Sequence, residues 1–266
     1  MAKHQSIRLS TLQLRFWQIL LLVIVLTAWH FAAQDRNFAF FFGQPVEVAK
    51  VIWAWFVTNA DIYHHLGITL SETMLAFVIG TVAGLAFGLW LGLSPGASAL
   101  LDPYITAANS MPRVILAPIF GMWFGLGIWS KVALAVTLVF FIVFFNVYQG
   151  VREVSNTLLD NARMLGANRK QLLRHVYIPS ATSWVFSSLH TSVGLAFVGA
   201  VVGEYLGSAA GVGYLILQAE GTLDVNTVFA GIIVLTLFAL ILDLMVSVFE
   251  NRMLAWRPKA GETAKM

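Results

Sequence analysis

Apolar positions gather into six long runs along the chain, at about 16–33, 71–93, 101–125, 129–150, 182–205 and 227–249. A helix of roughly 20 apolar residues crosses the hydrocarbon core of a bilayer, so each run predicts a transmembrane helix. The chain reads as an all-α integral membrane protein with about six spans. Two readings stand for the first run. Lys3, Arg8 and Arg15 precede it and Phe31-Ala32-Ala33 loosely resembles a cleavage site, the pattern of a signal peptide; its length and its late start at residue 16 favour a true span. Between the first two runs, QPVEVAKVIWAWFVTNA from Gln44 is too short to cross and rich in Trp53, Trp55 and Phe56. Aromatic rings favour the membrane interface, so this stretch predicts a short amphipathic helix lying on the membrane, with plain packing as the rival reading. The polar interruption DNARMLGANRKQLLRHVYIP, residues 160–179, carries four of the sixteen Lys and Arg residues.

Composition agrees with the pattern. The chain is 59% hydrophobic and 11% charged, with a mean hydropathy of +0.79, whereas a soluble domain carries about 25% charge. The excess of +3 charges does not point to nucleic acid, which needs a basic patch on a solvated face. Its distribution is a topology signal instead. With both termini cytoplasmic, twelve of the sixteen basic residues fall on the cytoplasmic side, and Arg36, Lys50, Arg113 and Lys131 do not; basic residues concentrate in cytoplasmic loops. The expected location is the inner membrane of the cell, multi-pass. The chain has no cysteine, which excludes disulfides, thiolate metal sites and cysteine nucleophiles.

Small and ring-locked residues predict how the spans pack. Gly80, Gly84, Gly88 and Gly92 recur at i, i+4 in the second run, one helix face on which a neighbour can approach closely. Gly199, Gly203, Gly207 and Gly211 form a second ladder running into the following loop. Pro112 and Pro118 interrupt the third run; each removes a backbone donor and tends to kink a helix, and broken helices at membrane depth are tolerated where they line a cavity or lie buried in protein. Arg113 sits beside that break, near mid-membrane, where an arginine is costly and faces a cavity or a partner. Two readings follow: it attracts an anionic solute, or it pairs with Asp243 at similar depth. Glu204 and Lys131 flank the outer ends of their spans, where helix capping or pairing ranks ahead of facing a docked protein.

No catalytic constellation is legible. The phosphate-binding G-x-x-x-x-G-K-[ST] spacing is absent, no Ser sits in a G-x-S-x-G elbow, and the adjacent His64 and His65 cannot both face one metal from a helix. No cofactor, metal site or enzymatic activity is expected.

The polar interruption nevertheless carries a pattern. Asp160-Asn161-Ala162, Gly166, Val176 and Ile178-Pro179 keep the spacing of the cytoplasmic loop of binding-protein-dependent ABC-transporter permeases, E-A-A, three residues, G, nine residues, I, one residue, L-P. Four identities differ: Asp for Glu, Asn for Ala, Val for Ile and Ile for Leu. By residue type alone, a helix from about 156 to 165 would place Leu158, Ala162 and Leu165 on one face and end at Gly166, as helices commonly end at glycine; an exposed apolar helix face suits a groove on a partner. A basic loop that merely fixes topology is the rival. The resemblance extends over about residues 40–257, through Pro45-Val46-Glu47-Val48, the glycine-rich second run, Met111-Pro112 to Gly125, Gly203-Glu204-Tyr205, Gly211-Val212-Gly213-Tyr214-Leu215-Ile216 and Asp243. Together these resemble the nitrate, sulfonate and taurine branch, with a departure at Phe140-Phe141-Ile142, where that branch often has a proline.

The resemblance implies a type I ABC-importer permease core, two copies forming the pathway, cytoplasmic ATPase subunits gripping the loop, and a periplasmic or lipid-anchored solute-binding protein delivering a small anion. The implied division is an N-terminal tail, first span and interfacial segment over 1–64, a core over 65–257 holding the coupling loop 151–180, and a cytoplasmic tail 258–266. An ion-coupled secondary transporter, which usually shows internal repeats, and a membrane docking protein without transport are the alternatives.

Overall fold

The computed structural model describes residues 11–253; Lys3, Arg8, Arg257, Lys259, Lys265 and the tail 258–266 lie outside them. Twelve α-helices follow one another, with no strand among the described residues: α1 Thr11–Ala32, α2 Arg36–Phe42, α3 Pro45–Trp53, α4 Ile62–Gly92, α5 Pro95–Ser110, α6 Ala117–Phe124, α7 Ile128–Arg152, α8 Asn156–Met164, α9 Arg169–Leu172, α10 Ile178–Gly207, α11 Val212–Gly221 and α12 Val225–Met253. Five stretches, Leu12–Ala32, Ile62–Gly92, Ile128–Arg152, Ser188–Gly221 and Val225–Val248, are long and apolar enough to cross a membrane.

The third apolar run is not one kinked span. It divides into α5, a 3-10 turn Arg113–Leu116 and α6, because Pro112 takes an extended conformation (φ −65°, ψ 100°) and Pro118 enters at the first turn of α6, where its missing N–H costs nothing. Packing nevertheless requires this broken segment to cross. A Cβ placed on Gly80, Gly84, Gly88 or Gly92 would meet Val139, Val143, Val147 or Val151 in turn, so both helices advance together and α4 and α7 are parallel neighbours. Two parallel helices joined by α5 and α6 need a connection that returns the full length of the bundle. At about 1.5 Å per residue α5 and α6 supply roughly 36 Å, enough for a hydrocarbon core of about 30 Å.

The α4 glycine row receives the α7 valine row like a rail in a groove, and the cluster continues through Ala76, Val132, Ala135 and Ala196. Helix α10 runs antiparallel to α7: Gly150 lies against Trp184, Gly199 against Ala135 and Gly203 against Lys131. Of the second glycine ladder, then, Gly199 and Gly203 pack tightly; Gly207 has room, and Gly211 sits at φ +108° in the turn before α11. A second cluster joins Ile62, Phe197, Val212, Val234 and Leu242, with Ile52, Trp55 and Phe56 packed on it. The interfacial segment therefore does more than lie on a membrane surface. Its apolar stripe is taken into the bundle, with Val48 buried and Trp53 left outward. Helix α1 stands off the rest, touching it through Trp29, whose indole N–H donates to the Phe42 carbonyl (3.2 Å) and whose ring meets Phe229.

Candidate functional site: the α7–α10 loop and the broken third span

The loop between α7 and α10 is built from three local signals. The Ser155 side chain caps α8 by accepting from the Leu158 N–H. At the other end Gly166 N–H donates to the Arg163 carbonyl and Ala167 N–H to the Ala162 carbonyl, the paired bonds of a Schellman stop, with Gly166 at φ +85°. Asn168 and Gln171 then form a reciprocal capping box that starts α9. Helix α9 widens into a π turn, Leu173–Tyr177, closed by Ile178 N–H on the Leu173 carbonyl, and flows into α10. The wider turn falls just before Pro179, whose ring would otherwise press on the carbonyl of residue i−4.

Of the apolar face expected from the sequence to be exposed, Leu158 and Leu165 point outward and Ala162 packs inward. Leu159, Leu172 and Val176 form its small core, with Val154, Ala162 and Ala167 against it. Leu158 and Leu165 are exposed, because Leu159 and Ala162 share the inward stripe and Leu165 already lies in the cap. Met164, 80% exposed, and Leu165, 89% exposed, project at the tip; the sequence did not single out Met164, which holds no position in the loop pattern. Asp160 pairs with Arg163 at 3.0 Å with both side chains largely in solvent, an interaction worth a few tenths of a kcal/mol, about 0.3–0.5. Asn161, Ile178 and Pro179 are exposed and Val176 is buried, and a shallow groove of about 260 Å³ runs between Leu165, Gly166, Gln171 and His175.

At the broken span, Arg113 does not meet Asp243. Its guanidinium donates to the Asn109 side chain (2.5 Å) and carbonyl (3.1 Å) and lies 4.6 Å over the Phe141 ring. Asp243 instead pairs with His190 at 3.1 Å, because α12 packs on α10 and α11 while Arg113 lies against α7. Pro118 lines a cavity of about 310 Å³ with Met122, Leu126, Gly203, Leu206 and Gly207. A larger apolar cleft of about 590 Å³ opens between α10 and α12, with His190 and Asp243 in its lining. Glu204 and Lys131 are both buried, so neither faces outward to a docked protein. Glu204 accepts from Thr69 (2.6 Å) and from the Gly213 N–H (2.7 Å), while Lys131 donates to the carbonyls of Leu126 and Gly127. Sequence reasoning passed over Glu72 and Thr69 beside them; a lone glutamate inside an apolar run was the available signal.

Comparison with known proteins gives this architecture its place. Residues 80–255 match the family model of the binding-protein-dependent transport system inner membrane component. The putative aliphatic sulfonates transport permease protein SsuC of Bacillus subtilis is 33% identical over 201 residues, 76% of this chain and 73% of that protein. The formylaminopyrimidine transport permease protein ThiX of Halalkalibacterium halodurans is 29% identical over 240 residues, 90% of this chain and 95% of that one. Among solved structures, the inward-facing MetNI methionine ABC transporter superposes with a TM-score of 0.62 at 18% identity, covering 74% of this chain and 96% of that chain, a likeness of fold. With five apolar spans, a broken sixth and the family model matched over most of the bundle, the chain belongs to the family of binding-protein-dependent transport system inner membrane components, as a permease subunit of an ABC importer.

Proposed function

We propose that this permease subunit forms half of the pathway for a small sulfonate-like anion, with a second copy supplying the other half and both termini in the cytoplasm. The ion-coupled transporter and the docking protein give way to the importer once the family is known. The α7–α10 loop is the contact for the partner ATPase: the exposed Met164–Leu165 tip and the groove beside Gly166 offer a partner an apolar knob, as helix-in-groove recognition uses. ATP-driven closure of two such ATPases would move α8, and through the continuous α9–α10 helix the motion reaches the spans. A solute-loaded binding protein would bias the same two-state equilibrium from the other side.

The relatives' names differ in solute, so the choice of an anion rests on Arg113. No carboxylate among the described residues pairs with it, its Nε is buried without a hydrogen bond, and its charge lies beside Phe141. An unneutralised arginine at membrane depth is expensive and marks a pathway or a ligand. The test is uptake of a short alkanesulfonate by the chain reconstituted with its ATPase and binding protein. Arg113→Gln raises the half-saturating concentration by about tenfold, the effect of roughly 1.4 kcal/mol, whereas Arg113→Lys retains part of it and both variants still assemble with the ATPase. Equal uptake by wild type and Arg113→Gln sinks the assignment.

A further inference from the structure

The corner between α10 and α11, at the end of the bundle away from the α7–α10 loop, is organised by a buried polar cluster drawn from α4, α7 and α10. Glu204 of α10, Glu72 of α4 and Lys131 of α7 are each 0–1% exposed, and the three side chains interact electrostatically. Polar groups taken out of water are costly unless they are hydrogen-bonded or paired. Here the bonds set the stance of α11. A helix begins with amides that have no partner inside it, ordinarily satisfied by its own cap residue. In α11 three successive amides are held by side chains of other helices: Gly211 N–H by His65 Nδ1 at 3.0 Å, Val212 N–H by the Thr69 hydroxyl at 3.2 Å, and Gly213 N–H by Glu204 Oε2 at 2.7 Å. The Thr69 hydroxyl in turn donates to Glu204 Oε1 at 2.6 Å, so one carboxylate ties α4, α10 and α11 together.

Shape enforces the same geometry. A Cβ on Gly211 or Gly213 would run into the Glu204 side chain, and one on Gly203 into the stem of Lys131. The turn of α10 that carries Glu204 presents Gly203, Leu206 and Gly207 to the cavity lined by Pro118. Beyond the amides, Leu215 and Ile216 of α11 pack in the cluster that contains Ile62 and Leu66 of α4. One turn of α10 therefore holds the start of α11 through Glu204 and forms part of the Pro118 cavity wall through Gly203, Leu206 and Gly207.

We propose that Glu204 is a positioning residue for transport: together with Thr69 and His65 it fastens the amino terminus of α11 to α4, and closure of the pathway at the end away from the coupling loop depends on that fastening. The attachment stands on geometry alone; its bearing on transport rests on the importer reading. Because the chain has no cysteine, a nitroxide pair at Tyr63→Cys on α4 and Leu217→Cys on α11 reports their separation without background, in the chain assembled with its ATPase in lipid nanodiscs. The expected result is one narrow distance in the parent, a broad or divided one in Glu204→Ala, and substantial recovery in Glu204→Gln, whose carbonyl still accepts an amide. Binding-protein-stimulated ATPase activity should fall on the order of tenfold in Glu204→Ala, within the usual range of coupling energies, with unstimulated activity retained. Should Glu204→Ala fail to assemble, Thr69→Val removes the hydroxyl that links Glu204 and the Val212 N–H to α4 and is expected to broaden the same distance. Unchanged distances in these variants overturn the proposal, and so does a broadened distance with stimulation intact. A parent complex that shows no stimulation counts against the importer reading, and the distance measurement still decides the attachment.

Discussion

Single glycines set the closeness of the bundle, and they are not equivalent. A Cβ on Gly84 would stand 2.8 Å from Val143 Cβ and 2.9 Å from the Phe140 carbonyl oxygen, neither of them the far end of a flexible chain. The helices must part to admit it. Gly84→Ala should therefore destabilise by about 1–3 kcal/mol, the usual penalty of overpacking, read as a lowered unfolding midpoint in detergent. Gly67, on the same helix, has nothing within 4 Å of its Cβ, and Gly67→Ala should be neutral or stabilising by up to about 1 kcal/mol through helix propensity. The pair separates packing from backbone preference, and equal midpoints for both would refute the rail-in-groove account. Arg113 makes a related point: Asn109, whose side chain and carbonyl it meets, lies at the helical i−4 spacing, whereas the Phe141 ring is brought to it only by packing against α7.

At the scale of an element, the α8 unit illustrates how a short helix is held in place by its ends. Nine residues are too few for a helix to persist alone in water; Ser155 starts it, the Schellman bonds stop it, and Leu159 anchors it on Leu172 and Val176. Gly166 has open space around its missing Cβ but a left-handed backbone (φ +85°). Gly166→Ala thus incurs a backbone cost of about 1–2 kcal/mol with no clash, and amides of α8 should exchange faster with solvent. Leu165→Asp leaves the cap untouched and alters the exposed tip; it should release the ATPase on purification while α8 exchange stays as in the parent. Retention of the ATPase by Leu165→Asp would move the contact away from this tip.

For the whole molecule, the parallel packing of α4 and α7 fixes the parity of the chain. The broken α5–α6 segment has to return across the bundle, so the α3 surface and the α8 loop lie at opposite ends. With basic residues Arg163, Arg169, Lys170 and Arg174 in the loop, the proposed orientation puts it in the cytoplasm, the side on which basic residues concentrate. In the cysteine-free background, a membrane-impermeant thiol reagent should label Lys50→Cys from outside intact cells and Leu165→Cys from the open side of inverted vesicles. Labelling of both from one side would contradict the six-crossing topology. The wide apolar surface left open, including α1 and the cleft beside His190 and Asp243, is what a bilayer or a second copy would cover.

The sequence by itself determined the class of the molecule and the local build of the α7–α10 loop. Long apolar runs have no stable alternative to helices in lipid, and Ser155, Gly166 and Asn168 act through their own and adjacent backbone, so run length and local spacing were enough for both. The glycine row Gly80 to Gly92 was legible for the same reason, since a helix face is fixed by its period. The partner that fills it was not: the valine row of α7 is adjacent in space and about sixty residues away in the chain. Likewise the inward face of α8 carried by Leu159, the His190–Asp243 pair and the Glu204 corner all depend on which helices meet and in what direction. Tertiary structure alone decided these, because the energies involved, close packing and the hydrogen bonding of polar groups between helices, belong to surfaces that exist after the helices have assembled.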